Sequence, residues 1–235
     1  MRTLRNLRKS MLNNENARRY MVYAIGEIIL VVIGILLALQ FNNWAVDVKN
    51  QKEEQFYLTK LQHNLAQDTL YLRNRLNTLQ FTDKVLDTVK AEIFNRDLDS
   101  FSNLGTGLAM VSVFSFSPQT STFDNLLSTG KLELITNQSL VDSIFTYYND
   151  LKNFTLQRNQ SIETYSRESI GPYLLSHPGG IFNMKLIPET YRTDPFFINA
   201  LELRKKSINS LLSDYNEILQ RSVNLISLIT NELKT

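Results

Sequence analysis

From Ala24 to Phe41 the chain runs for eighteen residues with a single charge, Glu27. At 1.5 Å per residue a helix of that length covers about 27 Å, the hydrocarbon thickness of a thin bilayer. A helix this apolar on every side must be hidden from water, in lipid or in a protein core, and no other stretch constrains the fold so tightly. Tyr20 and Tyr23 precede the run and Trp44 follows it, where the aromatic belts of a membrane-spanning helix lie. Residues 21–44 are therefore read as a transmembrane helix, with a buried helix of a soluble protein as the alternative.

The flanks orient such a span. Arg2, Arg5, Arg8, Lys9, Arg18 and Arg19 stand before it against Glu15 alone, whereas Asp47, Lys49, Lys52, Glu53 and Glu54 nearly cancel after it. An excess of Lys and Arg marks the cytoplasmic side, so residues 1–20 read as a cytoplasmic tail and 45–235 as a domain outside. A cleaved signal peptide would need small residues just after the apolar core. Leu39-Gln40-Phe41-Asn42-Asn43-Trp44 is a poor cleavage site, and the reading is an uncleaved signal-anchor. Within the tail, Leu4, Leu7 and Met11 share a helical face away from Arg2, Arg5 and Lys9. That pattern suits either a short amphipathic stretch on anionic lipid or a disordered topogenic tail.

Composition narrows the function. Beyond residue 20 the chain holds 19 basic and 22 acidic residues, too acidic to gain from nucleic-acid phosphates. The 235 residues contain no cysteine, which excludes disulfides, thiol catalysis and cysteine-ligated zinc. Their number suffices for one sizeable domain besides an anchor.

Two features of the span are candidate contact sites. Gly34 and Ala38 form a small-xxx-small pair that lets two helix backbones approach, through self-association or a partner helix. Glu27 is an ionisable group inside an apolar helix, and such groups are costly. It lies about one turn inside Tyr23, close enough to the interface to be tolerated there, to meet Arg18 or Arg19, or to face a partner.

Beyond the span, neither glycine nor proline occurs between Gly34 and Gly105. Leu58, Leu65, Leu72, Leu79, Leu86 and Ile93 recur every seven residues, widened by Leu61, Leu76 and Val89, which predicts one long helix over 45–98. The companion positions Asp68, Arg75 and Thr82 are polar, so a bundle helix fits better than a two-stranded coiled coil. Residues 99–118, with Gly105, Gly107 and Pro118 around an apolar run from Leu108 to Phe116, read as a short helix or a crossover. Ser121 reads as an N-cap, Gly130 as the left-handed end of a short helix, and Asn137 as the next cap. The following helix carries Leu140, Ile144, Tyr147, Leu151, Phe154 and Tyr165 and is expected to end near Ser169, before Gly171-Pro172. Four prolines at 172–195 make residues 171–193 a loop excursion. Asp194-Pro195 then opens a last helix with Phe197, Leu201, Ile208, Leu211, Tyr215, Ile218, Leu225 and Ile229 on its inner face. The fold class is all-α: a transmembrane helix, then an extracytoplasmic antiparallel helical bundle with a long first helix.

Chemistry is sparse. His63 falls on a polar helix face and His177 in the proline-glycine loop, and no spacing makes them metal ligands. There is no phosphate loop, nucleophile elbow or zinc-peptidase motif. Ser128-Thr129-Gly130 has the form of an anion nest, but a helix C-cap explains it equally. Tyr147, Tyr148, Phe154, Phe196 and Phe197 read as core. No catalytic, cofactor or metal residue is assigned, and an enzyme is not expected.

The run from Tyr23 to Trp44, with Gly26, Glu27, Gly34, Asn42, Asn43 and Trp44, resembles the hallmark of an uncharacterised family of single-pass Bacteroidota membrane proteins. The stretch Ser121–Ile135, with Phe123, Leu126, Ser128, Gly130, Leu132 and Ile135, followed by Tyr147-Tyr148, is similar to that family's second signature. The resemblance implies an inner-membrane protein with a periplasmic helical domain and no assigned activity. The functional expectation is a membrane-anchored interaction or scaffold module, its partners the bilayer and either a membrane or periplasmic protein or a second copy. The alternatives are a ligand-sensing input domain and an ion-coupled accessory subunit using Glu27. The 99–118 and 171–193 segments are the expected contact surface, because loops on a rigid scaffold usually carry contacts.

Overall fold

The computed structural model of the chain describes residues 15–94, 106–177 and 189–234, and every regular element among them is helical. Several sequence readings lie outside the described residues: the tail face of Leu4, Leu7 and Met11, residues 95–105 with Gly105, and residues 178–188. The side chain of Phe154 lies outside them too.

Helix α1 runs unbroken over Glu15–Phe94, 80 residues, as the absence of helix breakers after Gly34 requires. The chain divides into two compact units, Met1–Glu54 and Gln55–Thr235. In the first, every residue from 25 to 47 is exposed. This stretch lies in the one helix, among the described residues, long and apolar enough to cross a membrane.

In the second unit the heptad seam is core. Leu58, Leu61, Leu65, Leu72, Leu76, Leu79, Leu86, Val89 and Ile93 are all buried. Helix α2 (Thr106–Val111) gives way to an irregular stretch, residues 112–120, which resolves the short-helix or crossover question as both in succession. Helix α3 (Ser121–Ser128) follows. Its N-cap is Thr120, one residue earlier than the sequence pattern suggested, and the Thr120 hydroxyl reaches the Asp124 carboxylate at 2.7 Å instead of a backbone amide. Gly130 then adopts φ 68°, the left-handed conformation in which a Cβ is penalised, and turns the chain into a 3-10 helix, Lys131–Leu134. Asn137 caps helix α4 (Gln138–Asp150) by accepting from the Leu140 amide at 3.2 Å.

The expected stop near Ser169 does not occur. Helix α4 continues through a π turn (Leu151–Thr155), helix α5 (Leu156–Tyr165), a second π turn (Ser166–Ile170) and helix α6 (Gly171–Ser176). Proline lacks an amide and clashes with the carbonyl four residues back. The second π turn, whose Gly171 amide reaches the Ser166 carbonyl, opens the helix there and lets Pro172 enter. A Cβ on Gly171 would stand 3.2 Å from that carbonyl oxygen, so glycine suits the position. Each π turn takes up one extra residue. Buried Leu151, Thr155 and Asn159, then Ser166, Ile170 and Leu174, therefore step by four while holding one face inward. Part of the presumed 171–193 loop is thus helical, including α7 (Glu189–Thr193).

Helix α8 (Pro195–Glu232) starts where the sequence places it, with the Asp194 carboxylate accepting from the Phe196 amide at 2.8 Å. All eight predicted inner-face residues are buried, and Arg204 and Ser222 fill gaps between them. Its partners on α1 descend as α1 ascends: Gln62 meets Thr230 at 2.7 Å, Asp83 meets Lys205 at 2.8 Å, and Lys90 meets Glu202 at 2.5 Å.

Arg204 is 2 % exposed, and burial lowers its pKa to about 10. Its Nε donates to the Ala109 carbonyl at 2.9 Å and its Nη2 to the Ser112 carbonyl. These are acceptors at the negative end of α2, where a cation is favoured. Arg204→Met should strand both carbonyls and destabilise the protein by about 2–4 kcal/mol, measured by urea unfolding in detergent.

Candidate functional site

The residues that sequence reasoning singled out fall into two places. Glu27, Gly34, Ala38, Asn42, Asn43 and Trp44 all sit on α1 with exposed surfaces, and a Cβ added at Gly26 or Gly34 would meet no atom within 4 Å. Among the described residues Glu27 makes no ion pair, and Arg18 and Arg19 are exposed as well. The second group assembles. Phe123 is buried and stacks on Tyr148, rings 4.6 Å apart and 11° from parallel. Leu126 and Ile135 are buried beside them. Ser128 and Thr129 donate to the Asn125 carbonyl at 3.2 and 2.7 Å, which makes Ser128-Thr129-Gly130 a helix C-cap. His63 is exposed, while His177 stacks on Tyr173 at 4.0 Å. Tyr147, Tyr148 and Phe197 are core, whereas Phe196 is 40 % exposed.

Sequence reasoning passed over the centre of this assembly. Asp68 projects from α1 into the core, 2 % exposed, and both its oxygens accept from the Gln119 amide at 3.1 and 3.2 Å. Burial without a cationic partner pushes its pKa up to about 6, and the Gln119 amide only partly offsets that. Asn64 bonds Thr122 at 2.9 Å one turn away. The charge of Asp68 is felt by Tyr147 and Tyr148, whose phenols burial pushes far above the usual range. Tyr147 and Ser222 hydroxyls lie 2.7 Å apart. Because Ser222 gives its proton to the Ile218 carbonyl at 2.8 Å, Tyr147 is the donor. The Tyr148 hydroxyl is buried with no hydrogen-bond partner. The signal that could have found Asp68 was a carboxylate at the same heptad position as Leu61 and Val89 of the seam.

Tyr147 also lines a surface cleft between α4–α5 and α8. The cleft holds about 240 Å³ and is bounded by Asp150, Leu151, Thr155, Arg158, Asp214, Glu217, Ile218 and Arg221. Arg158 Nη1 contacts Asp214 at 2.6 Å and the Ser210 hydroxyl at 3.0 Å. Arg221 contacts Asp150 at 2.8 Å and Glu217 at 3.8 Å. A second hollow of about 360 Å³ adjoins it on the other side of Tyr147 and Arg221. Among the described residues no group of three or more His, Cys, Asp or Glu side chains is arranged to hold a metal ion.

The family model described as Family of unknown function (DUF6090) matches residues 27–169, more than half of the chain. The protein belongs to this family. No curated protein and no solved structure matches it. The DUF6090 match opens at Glu27 and takes in most of the first signature, all of the second, Asp68, Tyr147-Tyr148 and the α4–α5 wall of the cleft. Gly26 lies one residue before it, and Asp214, Arg221 and Ser222 lie beyond its end.

Folded Asp68 holds its proton up to about pH 6, whereas an ordinary aspartate loses it near 3.8. Between those values the folded state binds more protons, so stability falls as pH rises and stays low above 6. Asp68→Asn keeps an oxygen for Gln119 and removes the charge. Its Tm should vary less than wild type between pH 4 and pH 7, flattening a slope of roughly 2–3 kcal/mol; melting curves across that range check this.

Proposed function

We propose that this DUF6090 protein is a single-pass anchor of the inner membrane, with its N-terminus in the cytoplasm and residues 45–235 in the periplasm as an interaction or scaffold module. The observation that carries the reading is helix α1, one unbroken element containing both the exposed apolar stretch and the seam of the core. An uncleaved signal-anchor accounts for an apolar helix exposed on every side. The second unit reads as an antiparallel bundle. The descending α1–α8 contacts support that order, as do Asn137 with Glu232 and Asp150 with Arg221 between α4 and α8. Tyr147-Tyr148 and Phe123 act as core, Asp68 holds an amide while Asp83, Asp150 and Asp214 hold neighbouring cations, and this favours a protein that binds and positions over one that performs chemistry. The partner contact in the membrane runs through Glu27, Gly34 and Ala38, where small residues admit a second helix and a carboxylate gains from a polar neighbour.

Since the chain lacks cysteine, orientation is directly testable. In cells with a permeabilised outer layer, a membrane-impermeant maleimide should label Thr164→Cys and leave Thr3→Cys unlabelled until the inner membrane is opened. The reverse pattern refutes the orientation.

Cross-linking in native membranes followed by purification of the full-length protein should recover a membrane or periplasmic partner, or a covalent pair of copies. Gly34→Leu or Glu27→Gln should lower that yield several-fold with insertion unchanged. Recovery of the protein alone refutes the reading.

A further inference from the structure

We propose that the cleft between α4–α5 and α8 binds a free α-amino acid in its zwitterionic form. Three properties of the cleft lead there. Its volume of about 240 Å³ lies somewhat below the usual range of drug-sized ligand pockets, the scale of a small organic ligand. Its lining is mixed, with the largely buried Leu151, Ile218 and Tyr147 forming an apolar floor beneath the charged residues. Its charges are of both signs and close together, three carboxylates and two guanidiniums, so a ligand of either single sign meets repulsion, whereas a zwitterion is matched at both ends.

The guanidinium of Arg158 makes both of its contacts through Nη1. The edge formed by Nε and Nη2 therefore remains as a fork for a carboxylate, the geometry in which arginine binds most strongly. Glu217 is the loosest charge in the cleft, 3.8 Å from Arg221 with its side chain 71 % exposed, and it can turn to an ammonium group. The π turn Leu151–Thr155 forms one wall of the cleft, where an extra residue in the helix presents Thr155 toward the site. The bland account is that Arg158–Asp214 and Arg221–Asp150 merely tie two helices across a wet seam, which such pairs do weakly. That account predicts no ligand. The inference goes beyond the docking of a protein partner and does not depend on it.

The full-length protein in lipid nanodiscs is melted with each of the twenty standard α-amino acids, glycine and the nineteen L-enantiomers, at millimolar concentration. At least one should raise Tm by about 5–10 °C when present at a hundred-fold excess over its Kd. Its decarboxylated amine and its deaminated acid should each bind at least tenfold more weakly, since each keeps one charge. Arg158→Gln and Glu217→Gln should each weaken binding at least tenfold by calorimetry while leaving the ligand-free Tm within a degree or two. No response to any of the twenty overturns the proposal. So does equal binding of a singly charged analogue, or unchanged affinity in both variants. Failure here leaves the cross-linking result untouched, and the reverse holds as well.

Discussion

The irregular stretch between α2 and α3 sets the terms for the rest of the second unit. Residues 112–120 lie against a helical core with no neighbouring strand to pair with, so their backbone groups must find partners among side chains. Helices α1, α5 and α8 supply them. Asp68 of α1 takes the Gln119 amide, Tyr71 donates to the Ser115 carbonyl, Asn159 of α5 reaches the Phe116 carbonyl, and Tyr215 of α8 donates to the Phe114 carbonyl. Arg204 of α8 closes the end of α2 where the stretch begins. A polar group buried without a partner costs about 1–3 kcal/mol, so these contacts do more to prevent loss than to add stability. They also explain why so many polar residues occupy core positions of an otherwise leucine-rich unit.

This is also where the sequence was hardest to read. Periodicity located the apolar faces of α1, α4 and α8 well, because a leucine every seven residues has one sensible destination. Polar Asp68, Arg75 and Thr82 share the heptad position of Leu61 and Val89, and periodicity could not say that Asp68 is buried for the Gln119 amide, which is distant in the chain. Arg204 had no local signal at all: its need is created by the carbonyls of Ala109 and Ser112, about ninety-five residues earlier. Caps were legible at Gly130, Asn137 and Asp194, where one side chain or one φ angle decides the matter. The cap at Thr120 was misplaced by one residue because Ser121 is an equally good capping type. Gly171-Pro172 read as a break for a sound reason, and the helix passes it only because a π turn precedes it. Helix propensity contains no term for that device.

The first unit poses the opposite problem. Its residues are simple to read and hard to place by packing, because every described side chain from 25 to 47 is exposed. Exposure of so many large apolar groups is a strong statement about surroundings, since in water each would forfeit roughly 1.5–3 kcal/mol of available burial. Lipid supplies that burial without specificity, whereas Gly34, Ala38 and Glu27 are the positions where a specific neighbour would gain something lipid cannot give.

The two surfaces differ in kind, and that difference bears on how the protein works. A contact through the span would exchange lipid for a helix neighbour with no change in apolar burial, so its strength would rest on close backbone packing and polar contacts. The cleft beside Tyr147 is lined by half-exposed ion pairs that exchange partners at little cost. Tyr147 itself touches both regimes, its ring at the cleft and its hydroxyl on Ser222 within the field of Asp68. A ligand that displaces the Arg221–Asp150 or Arg158–Asp214 pair would therefore change the electrostatic surroundings of a core in which the Asp68 carboxylate holds the joint between residues 112–120 and α3. Coupling of surface occupancy to the core requires such a shared group, and among the described residues Tyr147 is placed to be one.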